Sequence, residues 1–457
     1  MDTGEIIDEE KINQILGETK SPSRDIVLNI LRKSEEKEGL SLEDVSYLLN
    51  VEDPSLIAEM LKVSSRIKEE IYGERLVFFA PLYLSSHCVN DCDYCGFHCR
   101  NSAPRKQLNL DEVKEQARIL MDMGHKRLLL EFGEHPEMIP IEYVTDVIKT
   151  IYGVKNKNGE IRRANVNIAA TGVEDYKKLK EVGIGTYQLF QETYHKETYE
   201  RVHNGPKADY ERQIFAHDRA MEAGLDDVGL GVLFGLYDYK FDVLALLSHS
   251  LYLEKRWGVG PHTISVPRLQ PAPTVDLDCK YLVSEDELLK IISIIRMAVP
   301  YTGMIITTRE SQELREKAFK IGISQTSAAS RTDPGGYGKD SVLEQFSLQD
   351  HRSVDEILKS ILKAGLIPSF CTACYRLNRT GATIMKLIKA GEINDLCRPN
   401  AILTLQEYLE DYASLEVKSL GEKTIEKYIK LIPSEEMRKK TIERLKRIKA
   451  GERDLYF

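Results

Sequence analysis

Eight short apolar runs that alternate with amphipathic helical runs constrain the fold of this 457-residue chain most strongly. Each apolar run has the length and composition of a buried strand. Residues 110–124 illustrate the helical runs, because Val113, Ala117 and Leu120 share one helical face and Gly124 can end the helix. The strand candidates are residues 76–84, 127–132, 165–170, 186–190, 226–234, 262–268, 303–308 and 322–327.

Apolar strands that alternate with helices predict a parallel sheet covered on both faces. Eight such units predict an α/β fold, a (β/α)8 barrel of the TIM type, which we assign to residues 76–340. Residues 1–75 are charged and helical, and we treat them as an N-terminal extension. Strand candidates stop after about residue 340, so residues 341–457 are predicted to form a C-terminal helical domain.

The composition excludes several classes of function. The net charge is −9 with both signs interspersed, so no nucleic-acid-binding surface is expected. The N-terminus lacks the basic-then-apolar pattern of a signal peptide, and no apolar run reaches transmembrane length. We therefore expect a cytoplasmic protein without a membrane partner. In that compartment, eight cysteines point to metal or redox chemistry rather than to disulfides.

Cys88, Cys92 and Cys95, the first triad, follow the first strand candidate with the spacing C-x3-C-x2-C. This places them at the C-terminal mouth of the predicted barrel, where the active sites of such barrels lie. A structural zinc site or a closed iron–sulfur site normally has four protein ligands. Three cysteines on a four-iron cluster leave one iron open for another ligand. Cys99, just beyond, is a possible fourth ligand, but we interpret it as a solvent-side thiol.

Cys371, Cys374 and Cys397, the second triad, lie in the C-terminal region with the spacing C-x2-C-x22-C. Because this triad also has only three cysteines, we expect a second four-iron cluster with an open iron. The alternative is a labile zinc site completed by a histidine, but no histidine follows His351. Cys279 belongs to neither triad and is interpreted as an inert thiol.

The first triad, with Tyr94 before its last cysteine, resembles the signature of the radical S-adenosylmethionine (SAM) superfamily. The resemblance implies a 4Fe–4S cluster whose open iron binds SAM, and a 5′-deoxyadenosyl radical that takes a hydrogen atom from the substrate. It also implies that Gly133 and Glu134, in EFGEHPE, receive the methionine amino group of SAM. Phe132 replaces the first glycine of that element. An ordinary acid at the end of a strand is the alternative for Glu134.

Three further residues match this superfamily. Arg212 resembles an arginine that binds the methionine carboxylate, although a surface helix arginine is the competing interpretation. Gly231 and Gly235, in GVLFGLYD, resemble a glycine-rich element that lies along the adenine. Close packing inside the barrel also explains glycine at these two positions.

The second triad lies within segments that resemble the HydG family of FeFe-hydrogenase maturases, as do VGPHTISVPR, PYTGMI and GERDLYF. The resemblance implies a radical SAM lyase that cleaves L-tyrosine at Cα–Cβ, giving p-cresol and dehydroglycine. Dehydroglycine would become carbon monoxide and cyanide on iron at an auxiliary 4Fe–4S cluster in the C-terminal domain. The implied partners are an electron donor such as ferredoxin or flavodoxin and other hydrogenase maturation proteins.

The same resemblance places His262 at a fifth, labile iron beside the auxiliary cluster. His262 opens the sixth strand candidate, so it faces away from the barrel mouth. It can serve only if the C-terminal domain packs against that opposite end of the barrel. A hydrogen-bonded core histidine is the alternative.

For tyrosine, the resemblance suggests that Arg309 and Ser327 hold the carboxylate, because a guanidinium suits that group. Both follow strand candidates at the barrel mouth, and Thr308 could assist. A salt bridge with Glu310 or Glu313 is the alternative role for Arg309.

Other tyrosine-binding assignments stay open. Arg268 is a second candidate for the carboxylate. Tyr83, Glu192 and Tyr194 are candidates for the phenol from their positions alone.

Two other functions stay open at this point. One is a tyrosine lyase that stops at dehydroglycine for the thiamine thiazole, a branch that lacks the second triad. The other is a non-catalytic iron–sulfur scaffold that uses the barrel only for binding. Detection of 5′-deoxyadenosine after reduction in the presence of SAM separates an enzyme from a scaffold.

Overall fold

A computed structural model describes residues 2–275, 277, 279–339 and 343–457 of the chain. The N-terminal extension contains a short 3-10 helix, Thr3–Glu5, and four α-helices: α1 Glu9–Glu18, α2 Arg24–Ser34, α3 Leu42–Leu49 and α4 Pro54–Tyr72. Serine side chains cap two of them, since Ser23 accepts from Ile26 N at the start of α2 and Ser41 forms a capping box with Asp44 on α3.

The strands follow in chain order: β1 Arg75–Ser85, β2 Arg127–Phe132, β3 Lys155–Asn156, β4 Gly159–Glu160, β5 Arg163–Asn167, β6 Tyr187–Gln188, β7 Val228–Gly231, β8 Thr263–Ser265, β9 Gly303–Ile306, β10 Gln325–Ser327 and β11 Ile367–Ser369. Eight of them pair in parallel in the order β1-β2-β5-β6-β7-β8-β9-β10, and β10 pairs back onto β1. The sheet is therefore a closed eight-stranded barrel, and all eight predicted strands are confirmed.

Helices surround this barrel: α5 Leu110–Asp122, α6 Ile141–Gly153, α7 Val173–Val182, α8 Lys196–Val202, α9 Tyr210–Ile214, α10 Ala216–Glu222, α11 Tyr239–Trp257, α12 Glu285–Ala298 and α13 Gln312–Ile321. On α5 the predicted face is buried, because Val113, Ala117 and Leu120 are all solvent-inaccessible. The N-terminal helices contact α11, α12 and α13 and so lie outside the barrel.

The C-terminal region contains α14 Val354–Lys363, α15 Ala373–Arg376, α16 Gly381–Lys389, α17 Ile393–Asp411, α18 Leu415–Lys430 and α19 Glu435–Lys449. The expectation that strands end near residue 340 is wrong. Strand β11 pairs in parallel with the first residues of β1, Ile367 opposite Arg75. Its three residues are too short for a periodicity signal, and its pairing partner is distant in sequence. The proposed domain boundaries at residues 75 and 340 stay a prediction.

Two cavities lie at opposite ends of the barrel. The upper cavity, at the C-terminal ends of the strands, holds about 1020 Å³ with the open solvent at its mouth included. The lower cavity, at the N-terminal ends, holds about 680 Å³ by the same measure, and residues of the C-terminal region line one side of it. None of the described helices is both long and apolar enough to cross a membrane.

Candidate active site and second cysteine site

The first triad lies in the loop that follows β1, at the rim of the upper cavity. Main-chain hydrogen bonds anchor this loop: Cys95 N donates to Cys92 O (3.3 Å), Asp91 N to Asn204 O (3.0 Å) and Gly96 N to Gln345 O (2.8 Å). Cys92 is buried, whereas Cys99 is exposed, as expected of a solvent-side thiol.

The thiols of the first triad suit a metal cluster. Burial raises the pKa of Cys95 to about 11, with a further contribution from Cys88, and raises that of Cys92 well above its usual value. Such thiols are protonated at neutral pH unless a cation stabilises the thiolates. Among the described residues, no group of three His, Cys, Asp or Glu side chains is arranged for a single metal ion. In a cluster each thiolate binds a different iron, so wider spacing is required.

Glu134 and Arg212 meet beside the cysteine loop. Glu134 Oε1 lies 2.6 Å from Arg212 Nη2, and Glu134 Oε2 accepts a hydrogen bond from Asn90 Nδ2 at 2.6 Å. Asn90 Nδ2 also lies 3.7 Å from Cys88 Sγ. The surface-arginine interpretation of Arg212 is therefore not supported. The pair offers one anion and one cation next to the first triad, the charges that an amino-acid zwitterion needs.

The predicted glycines occupy close contacts. A Cβ on Gly133 would lie 2.2 Å from the main-chain oxygen of His87, so this position permits the cysteine loop to approach β2. A Cβ on Gly231 would lie 2.3 Å from the Phe190 ring. Gly235 has φ = +123°, which favours glycine. Packing accounts for these residues, and their contact with SAM stays a prediction.

Tyr94 is buried between the first triad and the barrel wall. Its hydroxyl hydrogen-bonds His203 Nε2 at 2.8 Å, and Lys207 Nζ lies 5.7 Å from the centre of its ring. Lys207 in turn pairs with Glu192 at 2.7 Å. Tyr94 and Glu192 both line the upper cavity beside Cys95.

Arg309 lies on the wall of the upper cavity without a carboxylate partner. Its guanidinium stacks on Phe346, 3.4 Å from the ring centre, and none of the described Asp or Glu side chains lies within ion-pair distance. Glu310 pairs instead with Arg268 at 2.5 Å. The salt-bridge alternative for Arg309 is thus not supported in the described chain. Arg268, the second candidate for the carboxylate, is already engaged.

Ser327 and Thr308 lie next to Arg309. Ser327 Oγ accepts hydrogen bonds from Thr308 N and from Ser330 Oγ, each at 3.1 Å. Thr308 Oγ1 is buried and has no hydrogen-bond partner among the described residues. Ser327 and Thr308 line the cavity together with Arg309, and their binding of a carboxylate stays a prediction from the family resemblance.

Of the three phenol candidates, Tyr83 and Glu192 line the upper cavity. Tyr194 does not: it is fully buried outside the barrel mouth, and its hydroxyl hydrogen-bonds His249 Nδ1 at 3.0 Å. The Tyr194 candidate is therefore wrong, because the loop after β6 turns this side chain into the helical layer.

Sequence reasoning missed Glu131 and Asn167, which also line the upper cavity. They are opposite one another in the register of β2 and β5. The signal that could have identified them is an acid or amide side chain within a largely apolar strand, as in RLLLEF and NVNIAA.

The second triad lines the lower cavity. Burial and the neighbouring Cys397 raise the pKa of Cys371, and a hydrogen bond joins the thiols of Cys374 and Cys397. Arg75 and Arg379 stabilise the Cys397 thiolate. Three converging thiols beside two guanidinium groups suit a negatively charged iron–sulfur cluster.

His262 lines the same lower cavity. Its ring lies 6.1 Å from that of Tyr375, the residue after Cys374, and its Nδ1 lies 3.6 Å from Asp227 Oδ1. Asp227 accepts a hydrogen bond from Gly381 N at 3.0 Å. The C-terminal region therefore packs against the end of the barrel that carries His262, which was the condition for its predicted role.

Comparison with known proteins supports these observations. Residues 82–247 match the family model described as Radical SAM superfamily, and residues 265–367 match that of the Biotin and Thiamin Synthesis associated domain. The chain is 31% identical over 332 residues to 2-iminoacetate synthase of Escherichia coli, covering 72% of this chain and 86% of that protein.

Two solved structures are similar over nearly all of the chain. A crystal structure described as HydG, a maturase of the FeFe-hydrogenase, has 54% identity and a TM-score of 0.97, covering 99% of this chain and 100% of that one. HydG from Carboxydothermus hydrogenoformans has 38% identity and a TM-score of 0.86, covering 97% and 99%. The chain therefore belongs to the HydG family of FeFe-hydrogenase maturases, radical SAM enzymes that use SAM and a 4Fe–4S cluster.

Proposed function

We propose that this enzyme cleaves L-tyrosine at Cα–Cβ to p-cresol and dehydroglycine, and that the second triad supports conversion of dehydroglycine to carbon monoxide and cyanide on iron. The similarity to 2-iminoacetate synthase supports the first reaction, since 2-iminoacetate is dehydroglycine. The observation that carries the proposal is that the barrel has a cysteine triad at each end. Cys95 of the first triad lines the upper cavity, and all three cysteines of the second triad line the lower cavity. The thiamine branch is not favoured, because the similarity to HydG extends over the C-terminal region.

At the rim of the upper cavity, Cys88, Cys92 and Cys95 would hold the 4Fe–4S cluster. Glu134 and Arg212, which line a neighbouring cavity, would bind the amino and carboxylate groups of SAM. Cluster and SAM together supply a 5′-deoxyadenosyl radical when bound. Gly231 and Gly235 would permit adenine to lie close to the backbone.

Arg309 and Ser327 would hold the carboxylate of tyrosine. A half-buried guanidinium with no carboxylate partner within the described chain is ready for a charge-assisted, bidentate interaction. Ser327 Oγ and the unpartnered Thr308 Oγ1 add polar atoms beside it.

Replacing Arg309 with alanine is expected to weaken tyrosine binding far more than SAM binding. The loss of a charge-assisted hydrogen bond costs about 1.5–3 kcal/mol, which is roughly ten- to a hundredfold in the KM for tyrosine. Steady-state kinetics with each substrate in turn measure this difference. Arg331→Ala, which removes an exposed arginine beyond β10, is the matched control. An unchanged KM for tyrosine in Arg309→Ala would exclude the carboxylate role.

In the lower cavity, Cys371, Cys374 and Cys397 would hold a second 4Fe–4S cluster, and His262 would bind an additional labile iron. Neutral imidazole is a common iron ligand. Asp227 lies near Nδ1 of His262 and would orient the ring so that Nε2 is the ligating atom.

The His262→Ala variant is expected to retain p-cresol formation and iron and sulfide contents near two four-iron clusters, but to lose the additional iron. High-spin electron paramagnetic resonance of the reconstituted protein detects that iron without turnover. His351→Ala, at an exposed histidine, should keep the wild-type spectrum. A wild-type high-spin signal in His262→Ala would return His262 to the role of a core histidine.

The partners follow from this chemistry. The reaction requires a low-potential electron donor such as ferredoxin or flavodoxin, and its products require other hydrogenase maturation proteins as acceptors. We propose the cytoplasm as the location, because cysteine triads that hold iron–sulfur clusters suit a reducing compartment.

A further inference from the structure

We propose that Glu131 binds the α-amino group of the tyrosine substrate and accepts a proton from it, an inference that rests on the proposed tyrosine cleavage. Glu131 lies near the C-terminal end of β2, and its neighbours in register are Tyr83 on β1 and Asn167 on β5. All three side chains line the upper cavity, as does Arg309. A carboxylate and a guanidinium thus share the cavity in which the substrate zwitterion would bind.

Among the acidic residues of the upper cavity, Glu131 is the one available to bind a cationic group of the substrate. Three acidic residues line the upper cavity: Glu131, Glu192 and Glu310. Glu192 pairs with Lys207 at 2.7 Å, and Glu310 pairs with Arg268 at 2.5 Å. For Glu131, no Lys, Arg or His in the described part of the chain lies within ion-pair distance. A cation from the substrate would therefore complete the site.

The surroundings of Glu131 also suit proton transfer. The pKa of Glu131 is raised to about 8, chiefly by burial; the negative charge of Glu192 also raises it, whereas the hydrogen bond from Asn167 and the charge of Arg309 lower it. A pKa near the working pH is what an efficient general base requires. An ammonium group that binds beside Glu131 would favour the ionised carboxylate.

The reaction itself calls for such a base. The ammonium nitrogen of tyrosine carries three hydrogens, whereas the imine nitrogen of dehydroglycine carries one. In the proposed step, an N–H bond of the ammonium breaks, its electron pair stays on nitrogen, and an O–H bond forms on the Glu131 carboxyl. The step involves no change in oxidation state and needs no further reactant.

Ligand discrimination tests this assignment without turnover. Isothermal titration calorimetry of the reconstituted enzyme with SAM but no reductant would compare L-tyrosine, 3-(4-hydroxyphenyl)propionate, which lacks the amino group, and L-phenylalanine, which lacks the phenol hydroxyl. In Glu131→Gln, the preference for tyrosine over the desamino analogue should fall at least tenfold. The preference over phenylalanine should not change. Loss of the phenylalanine discrimination instead would make Glu131 a phenol ligand and overturn the proposal.

Two control variants test whether the effect is specific to the carboxylate of Glu131. Glu137→Gln removes an exposed carboxylate from the loop that follows the same strand and should behave as wild type. Glu131→Asp keeps the charge and should recover part of the preference for the amino group. SAM binding by each variant verifies that the site is folded. An unchanged preference in a SAM-binding Glu131→Gln protein would overturn the assignment.

The pH dependence gives a second readout. The ammonium-binding carboxylate is present above its pKa and is lost as the pH falls, so tyrosine should bind more weakly as the pH drops below about 8. Tyr83, Glu192 and Arg309 also face this position, but only Glu131→Gln should remove this dependence. If the wild-type enzyme forms no p-cresol on reduction, the proposed tyrosine cleavage is wrong. If the wild-type enzyme forms p-cresol but tyrosine binding by Glu131→Gln keeps its pH dependence, only the proposed role of Glu131 is wrong.

Discussion

Replacing Cys92 with serine is expected to abolish p-cresol and 5′-deoxyadenosine formation together. Cys92 is buried at the centre of the first triad, between Cys88 and Cys95 in the loop after β1. A serine hydroxyl is a poor substitute for a thiolate as an iron ligand. A cluster with two remaining cysteines should not hold SAM productively, so both products should fall to background in a chromatographic assay.

The matched control is Cys99→Ser. Cys99 lies four residues beyond Cys95 and is exposed, so its loss should leave both products at wild-type levels. Iron content separates the two variants further, because only Cys92→Ser should lose about one four-iron cluster. Continued p-cresol formation by Cys92→Ser would remove the radical assignment.

Replacing Cys374 with alanine is expected to separate the two halves of the reaction. We propose that tyrosine cleavage takes place in the upper cavity, which the second triad does not line. Cys374 lines the lower cavity with Cys371 and Cys397, at the N-terminal ends of the strands. The variant should therefore form p-cresol near the wild-type rate and lose carbon monoxide.

Capture of carbon monoxide by a haem protein, with p-cresol measured in the same sample, makes this comparison direct. Cys279→Ser, which changes a cysteine outside both triads, is the control. Undiminished carbon monoxide from Cys374→Ala would make the second triad a structural element only.

The barrel could be predicted from the sequence because each of its strands is recognisable from a short run of neighbouring residues. The runs at 127–132 and 303–308 are short and apolar, and the helices between them have a clear apolar face. The position of the first triad followed directly, since a residue after strand one of a barrel lies at its mouth. The predicted roles of Glu134 and Arg212 came from a family resemblance rather than from periodicity, and the contact between the two side chains was not predicted.

Other parts of the site depend on contacts between residues that are distant in sequence. Strand β11 forms only because it meets β1, almost 300 residues earlier in the chain. Arg75 is brought to the second triad by the same pairing. Tyr194 was proposed as a phenol ligand because it lies near the end of a strand. Its position in the sequence did not reveal that its side chain points away from the cavity.

The most direct test of the account is the product set from L-tyrosine. The reconstituted enzyme would be incubated anaerobically with SAM, a reductant and tyrosine, and p-cresol and cyanide would be quantified in the same reaction. We predict that both are formed and that neither appears without SAM. p-Cresol with dehydroglycine but no cyanide would contradict the proposed role of the second cavity.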